Sequence, residues 1–211
     1  MSRTQARRAA PIVLGILGGL AGGKSTVAAL LAGRGAAVID ADAIGHEVID
    51  RPQVRAALSA AFGEQILDKS GRVERRLLAQ AAFGDAERVD KLNGIVHPPI
   101  LEEIRGRVEE IKRFGQAPLI VLDAALLVET GLDKELCQAL LYVEAPEDVR
   151  RERARAERQI EPEQFEKRTQ AQVAPQEKRK LADYIVTNNG SLEELDEQLG
   201  KLWPALTGTS R

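Results

Sequence analysis

A glycine-rich segment, GILGGLAGGKST at residues 15–26, constrains this chain more than any other feature of its sequence. It contains the pattern G-x-x-x-x-G-K-[ST] at Gly18, Gly23, Lys24 and Ser25. An apolar run at 12–17 precedes the segment and a helix-forming run at 24–31 follows it, so the pattern lies between a predicted strand and a predicted helix. In that context the backbone N–H groups of the loop bind phosphate oxygens. The sequence therefore predicts a nucleotide phosphate site, and the alternative is an ordinary glycine-rich turn.

The chemistry of a bound triphosphate assigns a role to each part of this loop. Lys24 supplies the cation that the β- and γ-phosphates need. Ser25 supplies the hydroxyl that binds Mg²⁺. The predicted cofactor is therefore Mg²⁺, with ATP as co-substrate, and Lys24 is assigned to catalysis as well. The other nucleotide contacts predicted in the loop are Gly19, Leu20, Ala21, Gly22, Gly23 and Thr26.

Further apolar runs predict the remaining strands of a parallel sheet. These runs are AAVID at 36–40, PLIVLD at 118–123, ALLYVEA at 139–145 and DYIVTN at 183–188. Strands that alternate with helices are typical of α/β domains, which bind ligands at the carboxyl ends of their strands. We predict a P-loop NTPase-type α/β fold, a parallel sheet flanked by helices, with a helical insertion and a helical lid.

The segments between the strands predict the domain organisation. Helices are expected at 51–62, 73–83, 86–96 and 98–114. Turns are expected near DKSG and at His97-Pro98-Pro99. A charged stretch follows residue 146, and Pro162 and Pro175 are expected to break it into separate helices. The predicted organisation is a flexible tail at 1–10, a core at 11–42 plus 118–205 with its lid at about 146–180, and an insertion at 43–117.

Composition and charge exclude several classes of protein. The 211 residues carry a formal net charge of −2 and only 3% aromatic residues, which argues against a nucleic-acid partner. No apolar run has the length needed to span a bilayer, so no membrane partner is expected. The single cysteine, Cys137, suits a reducing compartment. We expect a cytoplasmic protein that is a monomer or a weak homo-oligomer.

Two aspartates follow the second predicted strand, in the segment VIDADAIGHEV at 38–48. A carboxylate near a γ-phosphate can accept the proton of an attacking hydroxyl or organise Mg²⁺ through water. If the strand continues, alternation puts Asp40 and Asp42 on one face of it. The alternative is that an aspartate here caps the following helix.

Three further segments carry candidate site residues. Asp123 ends the strand LIVLD, where an acid commonly holds Mg²⁺-bound water opposite the phosphate loop, and we assign it to the substrate site. In RRERARAER, at 150–158, spacings of four and three residues put Arg151, Arg155 and Arg158 on one helix face that could cover a phosphate; Arg155 is predicted to bind nucleotide. A solvated helix with Arg–Glu pairs is the alternative. Asn188 follows the last strand, either in an adenine pocket or in a simple turn.

Six segments of the chain, taken in order, resemble the dephospho-CoA kinase family. They are GILGGLAGGKSTVA, VIDADAI, GRVERRLLAQAAF, LNGIVHP, LLVE and ADYIVTNNGSLEEL, and the resemblance runs from about Ile12 to Trp203. It implies transfer of the γ-phosphoryl group of ATP to the ribose 3′-hydroxyl of dephospho-CoA, which gives CoA and ADP in the last step of coenzyme A biosynthesis. It also implies that Asp42 is the general base and Asp40 a supporting acid.

The same resemblance implies the acceptor-binding residues. Dephospho-CoA would bind the helical insertion at Arg75 and His97, and Glu129 would contact it from the LLVE segment. Because His97 precedes a proline, we expect it in extended or turn geometry and not within a helix. Ala21 stands where the family usually has a third loop glycine, which an alanine can replace without strain only if its φ is negative.

Other functions remain as alternatives at this point. The chain could be a P-loop kinase for a nucleoside monophosphate or a small hydroxy acid, or a non-enzymatic nucleotide-binding switch. The long helical insertion suits a large acceptor better than a small one. A guanine-reading switch would need an Asn-Lys-x-Asp segment, which the sequence does not contain.

Overall fold

The computed structural model describes residues 10–82 and 85–208 of the chain. Most of the predicted N-terminal tail, residues 1–9, lies outside the described residues. The chain divides into two compact units, one made of the residues before Asp40 and after Arg107, the other of Asp40–Arg107. Within the described ranges, no helix is long and apolar enough to cross a membrane.

The first unit is built on a five-stranded sheet with the strand order β2-β3-β1-β4-β5. Its strands are β1 (Ile12–Gly18), β2 (Ala37–Asp40), β3 (Leu119–Asp123), β4 (Ala139–Glu144) and β5 (Tyr184–Thr187). The central strand β1 pairs in parallel with β3 and β4, and β4 pairs in parallel with β5. Every strand that the apolar runs predict is present, and the predicted α/β fold is confirmed.

Helices cover the sheet and form most of the second unit. In the described residues they are α1 (Lys24–Gly33), α2 (Ala41–Ile49), α3 (Pro52–Phe62), α4 (Arg75–Ala82), α5 (Ala86–Phe114), α6 (Leu132–Leu136), α7 (Glu147–Arg158), α8 (Pro162–Gln170), α9 (Pro175–Leu181) and α10 (Leu192–Thr207). The charged stretch is interrupted as predicted, because Pro162 and Pro175 each begin a helix, where the missing N–H costs no hydrogen bond.

The core of the first unit lies between the sheet and two helices, α1 and α10. Leucines of α1 and α10 pack on the alternate strand residues that point to that face of the sheet. Leu31 and Leu199 are fully buried there, against Leu14 and Leu141 of the two central strands. The carboxyl ends of the strands are thereby held in a fixed register, in which Ile16 pairs with Asp123 and Gly18 pairs with Val143.

The second unit is helical, with α2, α3, α4 and most of α5 around a small apolar core. Its fully or nearly fully buried members include Ile44, Leu58, Ile66 and Ile104. The predicted DKSG turn is confirmed, since the carboxylate of Asp68 accepts hydrogen bonds from the backbone N–H groups of Ser70 and Arg72, at 2.8 and 3.0 Å.

One local prediction is wrong, and the strand continuation on which another depended does not occur. α5 runs without interruption through His97, Pro98 and Pro99, so His97 is in a helix and not in a turn. Each proline removes one backbone hydrogen bond, but buried side chains on both sides, Val96 and Ile104, hold the helix in place. The second strand ends at Asp40, the N-cap of α2, so the strand does not continue and alternation does not put Asp40 and Asp42 on one face.

Candidate active site

The glycine-rich loop joins β1 to α1 as the pattern predicts. Gly22 donates its backbone N–H to the carbonyl oxygen of Gly19 at 3.1 Å, which closes a turn. Gly23, the N-cap of α1, has a φ of 95°, and a side chain there would collide with the amide of Asn188. Glycine is therefore required at Gly23 for both conformation and space. No side chain caps α1, so its first N–H groups remain available for an anion.

Lys24 lies over this loop. Its Nζ donates to the carbonyl oxygens of Gly18 and Gly19, at 3.4 and 3.3 Å. These long bonds orient the ammonium group toward the loop that is predicted to hold the phosphates. Ser25 and Thr26 are exposed in the first turn of α1, where their hydroxyls are accessible to a ligand.

A cavity of about 230 Å³ opens beside the loop. It brings together five residues that the sequence assigns to the nucleotide: Ala21, Gly23, Ser25, Thr26 and Asn188. Arg153 and Glu157 of α7 also line it, as do Gly190 and Leu192. Residues far apart in the chain therefore meet at the carboxyl edge of the sheet, where α/β domains bind their ligands.

Ala21 does not have the negative φ that the sequence argument required. Its φ is 57°, in the left-handed region that alanine adopts at a cost of about 1–2 kcal/mol. The residue is only 7% exposed and packs in an apolar cluster with Ala154, Ile160 and Phe165. Burial of its methyl group offsets part of the conformational cost, and the loop is thereby attached to α7 and α8.

Asn188 fastens the end of β5 to the loop. Its side-chain Nδ2 donates to the carbonyl oxygen of Gly22 at 3.0 Å, and the residue is 8% exposed. Its backbone N–H donates to Glu144 at 2.7 Å, and its carbonyl oxygen accepts from Nη1 of Arg153 at 3.2 Å. Asn188 therefore does more than close a turn, because it joins the loop, β4 and α7.

The arginines of α7 are distributed differently from the prediction. Arg155 lines a separate cavity of about 280 Å³ beside Pro162 and Phe165, and not the cavity at the loop. Arg151 pairs with Glu147 and Glu166 and stacks on Phe165, with 5.1 Å from its Cζ to the ring centroid. The face that carries Arg151 and Arg155 is therefore turned toward α8, although both side chains keep substantial exposure. The Arg151–Glu147 pair is of the kind expected for the alternative, a solvated helix, and the nucleotide contact of Arg155 stays a prediction.

Two arginines that sequence reasoning did not single out face the loop. Arg153 lines the cavity at the loop, and the guanidinium of Arg150 lies against Gly19. The two are three residues apart and so are neighbours on the helix surface. The spacing of three residues between Arg150 and Arg153 could have indicated this face of α7. The spacing of four residues between Arg151 and Arg155 indicated the other face equally well.

Glu129 forms an ion pair with a buried lysine, Lys178. One of its carboxylate oxygens accepts hydrogen bonds from Nζ of Lys178 at 3.0 Å and from the backbone N–H of Val173 at 2.8 Å. Burial alone raises the pKa of Glu129, but these hydrogen bonds and the nearby ammonium group together lower that pKa below its usual value. This oxygen of Glu129 therefore anchors α9. No sequence pattern indicated that Glu129 and Lys178 would meet.

The predicted residues of the second unit lie on α2, α4 and α5. Asp40 is the N-cap of α2, and its carboxylate accepts the N–H groups of Asp42 and Ala43 at 2.9 and 3.0 Å. Asp42 is exposed in the first turn of that helix. The capping interpretation is thus realised for Asp40, which leaves Asp42 as the carboxylate without a capping role.

Arg75 and His97 were predicted to bind the acceptor. Arg75 begins α4, and its Nη1 contacts Nε2 of His46. His46 is four residues after Asp42 on α2, so Asp42 and His46 lie on the same side of that helix. Asp42, His46 and Arg75 therefore belong to one polar surface of the second unit. His97 is half-buried within α5.

The first unit carries two oxygen donors of the kind that bind Mg²⁺. Among residues 10–82 and 85–208, no group of three or more His, Cys, Asp or Glu side chains could hold a metal ion by itself. Mg²⁺ does not need one, because it usually keeps several waters and takes other ligands from one or two protein oxygens and from substrate phosphates. Ser25, with its exposed hydroxyl, and Asp123, at the end of β3, supply oxygens of this kind.

Comparison with known proteins gives consistent matches. The family described as dephospho-CoA kinase (CoaE) matches residues 12–194. A dephospho-CoA kinase of Corynebacterium efficiens is 39% identical over 190 residues, which are 90% of this chain and 94% of that protein.

Two solved structures extend the comparison. The crystal structure of TT1252 from Thermus thermophilus is similar with a TM-score of 0.79 and 37% sequence identity, over 95% of this chain and 100% of that one. Dephospho-CoA kinase from Campylobacter jejuni, at 20% identity, gives a TM-score of 0.66 over 95% of this chain and 100% of that one, and supports the fold alone.

Proposed function

Because this chain belongs to the dephospho-CoA kinase family, we propose that it transfers the γ-phosphoryl group of ATP to the ribose 3′-hydroxyl of dephospho-CoA, forming CoA and ADP. The observation that carries the proposal is the cavity at the loop, where Gly23, Ser25 and Asn188 meet below an uncapped helix. Phosphoryl transfer requires of a protein mainly alignment and charge neutralisation, and this arrangement offers both.

In this proposal the loop binds the phosphates and the cavity receives the adenosine. The loop amides and Lys24 neutralise the β- and γ-phosphates, and Lys24 leaves its long bonds to Gly18 and Gly19 when the nucleotide arrives. Ser25 and Asp123 would hold Mg²⁺, which supplies charge neutralisation at the phosphates. We move the proposed arginine contact from Arg155 to Arg153, since Arg153 lines the cavity.

Asp42 is the proposed general base. It accepts the proton of the 3′-hydroxyl as the new O–P bond forms and the bond to ADP breaks. Asp40 is the proposed supporting acid, and its hydrogen bond to the N–H of Asp42 holds the start of α2 in place. Arg75 and His97, with Glu129 and Asp123, remain the proposed contacts for dephospho-CoA.

The compartment and the oligomeric state of the enzyme are further parts of its function. We propose a cytoplasmic enzyme that is a monomer or a weak homo-oligomer. Cys137 is half-buried, and this burial raises the pKa of its thiol to about 12, so that the reactive thiolate forms poorly. Sedimentation at increasing concentration tests the oligomeric state.

The direct test is to incubate the protein with Mg·ATP and dephospho-CoA and to detect CoA by mass spectrometry. Nucleoside monophosphates and small hydroxy acids serve as competing acceptors in parallel reactions. We expect phosphorylation of dephospho-CoA alone. Transfer to another acceptor with none to dephospho-CoA would exclude the proposed function while leaving the fold assignment intact.

Two variants separate the proposed roles within that assay. Lys24→Ala should lower turnover by about 10²–10³-fold or more while leaving the circular dichroism spectrum unchanged. Asp42→Asn should lower kcat by about 10²–10⁴-fold with little change in the KM for ATP, because a base acts in the transition state. A loss confined to KM would contradict the assignment of Asp42.

A further inference from the structure

Arg150 is a buried cation at the phosphate loop. The residue is 5% exposed, and its Nη1 has no hydrogen-bond partner within the described part of the chain. Buried polar groups are nearly always hydrogen-bonded, and a buried charge is costly without a close counter-ion. The sequence analysis considered the face of α7 that carries Arg151 and Arg155, and it gave no role to Arg150.

The guanidinium of Arg150 lies directly against Gly19. A Cβ built on Gly19 would be 2.5 Å from Nη1 and 2.9 Å from Cζ, so only glycine permits this contact without displacement of the arginine. Lys24 reaches the same residue, since its Nζ donates to the carbonyl oxygen of Gly19 at 3.3 Å. Two cations therefore converge on one residue of the loop, which makes its potential strongly positive.

Carboxylates compensate this charge only weakly. Glu147 lies 4.0 Å from Nη2 of Arg150 but 2.6 Å from Nη2 of Arg151, so its closer partner is Arg151, which is more exposed than Arg150. Arg150 is oriented instead by packing, with its Cζ 5.7 Å from the centroid of the Phe165 ring. A cation held this way is available to an anion that binds at the loop.

We propose that Arg150 is a positioning residue of the phosphate site, which fixes the Gly19 end of the loop and whose charge is balanced by the phosphates of the bound nucleotide. The effect is large for a buried charge because little water separates it from the loop. This inference rests on the proposed function in one respect only, that the loop binds a polyphosphate. It does not depend on the identity of the acceptor.

The test measures the affinity of the full-length protein for inorganic tripolyphosphate by calorimetry, without acceptor or adenosine. Arg150→Met should weaken this affinity about 10- to 100-fold, as expected for loss of a charge-assisted interaction. The matched control is Arg151→Met, which removes the same charge one residue away and should stay within about twofold of the wild type. The melting temperature of ligand-free Arg150→Met should not fall, because the substitution removes a buried charge without a close partner.

The variant Gly19→Ala tests the same contact from the side of the loop. In Gly19→Ala the new Cβ displaces the guanidinium, so tripolyphosphate affinity should fall, and adding Arg150→Met should lower it little further. Affinity of Arg150→Met within twofold of the wild type, or an equal loss in Arg151→Met, overturns the inference and leaves the proposed function standing. A wild-type protein that does not bind tripolyphosphate overturns the inference, while the proposed function is decided separately by the formation of CoA from Mg·ATP and dephospho-CoA.

Discussion

The Nζ of Lys178 lies 3.0 Å from the carboxylate of Glu129, and the side chains are only 3% and 18% exposed. This pair joins α9 to the segment that follows β3, and the same carboxylate holds the backbone N–H of Val173. Removal of Glu129 is costly, because the buried ammonium group of Lys178 is then left without compensation.

Removal of one partner should therefore destabilise the protein more than removal of both. We expect Glu129→Ala to lower the free energy of unfolding by about 3 kcal/mol. The double variant Glu129→Gln with Lys178→Met should lose clearly less than the sum of its single substitutions. Chemical denaturation of the wild type, Glu129→Ala, Glu129→Gln, Lys178→Met and the double variant measures these differences. Additive losses would show that the two charges do not interact.

Stability should also depend on pH through Glu129. Its pKa in the folded state is lowered, so the stabilisation is fully present above the unfolded-state pKa of about 4.3 and is lost as the pH falls through the folded-state value. The difference in unfolding free energy between the wild type and the Glu129→Gln, Lys178→Met variant should be constant near pH 7 and should shrink below about pH 4. Urea denaturation at several pH values measures it. A difference that does not change down to pH 3 would contradict this origin of the stability.

Ala21→Gly should change stability little despite the burial of the residue. Glycine relieves a left-handed cost of about 1–2 kcal/mol but loses a buried methyl group and gains unfolded-state entropy. We expect a net change below about 1 kcal/mol. The control is Ala154→Gly, in the same apolar cluster but within α7, which should cost about 2 kcal/mol. Equal losses in both would mean that the φ of Ala21 is not strained.

Asn188→Ala should affect both stability and nucleotide binding. It removes the hydrogen bond to Gly22 and leaves a buried carbonyl without a partner, which costs about 1–2 kcal/mol. ADP affinity should fall because Gly22 is no longer fixed. Asn189→Ala, at the exposed neighbour, should stay within about 0.5 kcal/mol. If Asn188→Ala binds ADP as tightly as the wild type, Asn188 does not contribute to nucleotide binding.

The parts of the fold that the sequence predicts are those with local causes. Buried strands read as apolar runs because both faces of the sheet are covered, and prolines mark the starts of α8 and α9. The helix over 41–49 was not predicted, because it follows a strand directly and begins at a side-chain cap on Asp40. The uninterrupted α5 was missed because the packing of Val96 and Ile104 outweighs the local effect of two prolines.

The sequence alone determined where the glycine-rich loop lies, since its strand, glycines, lysine and helix are contiguous in the chain. The tertiary structure decided which arginines reach that loop. Arg150 and Arg153 face it and Arg155 does not, because the rotation of α7 is set by the burial of Ala154 and Phe165. It also decided that Glu129 meets Lys178. Side chains distant in sequence come together only through packing, and no local pattern records that contact.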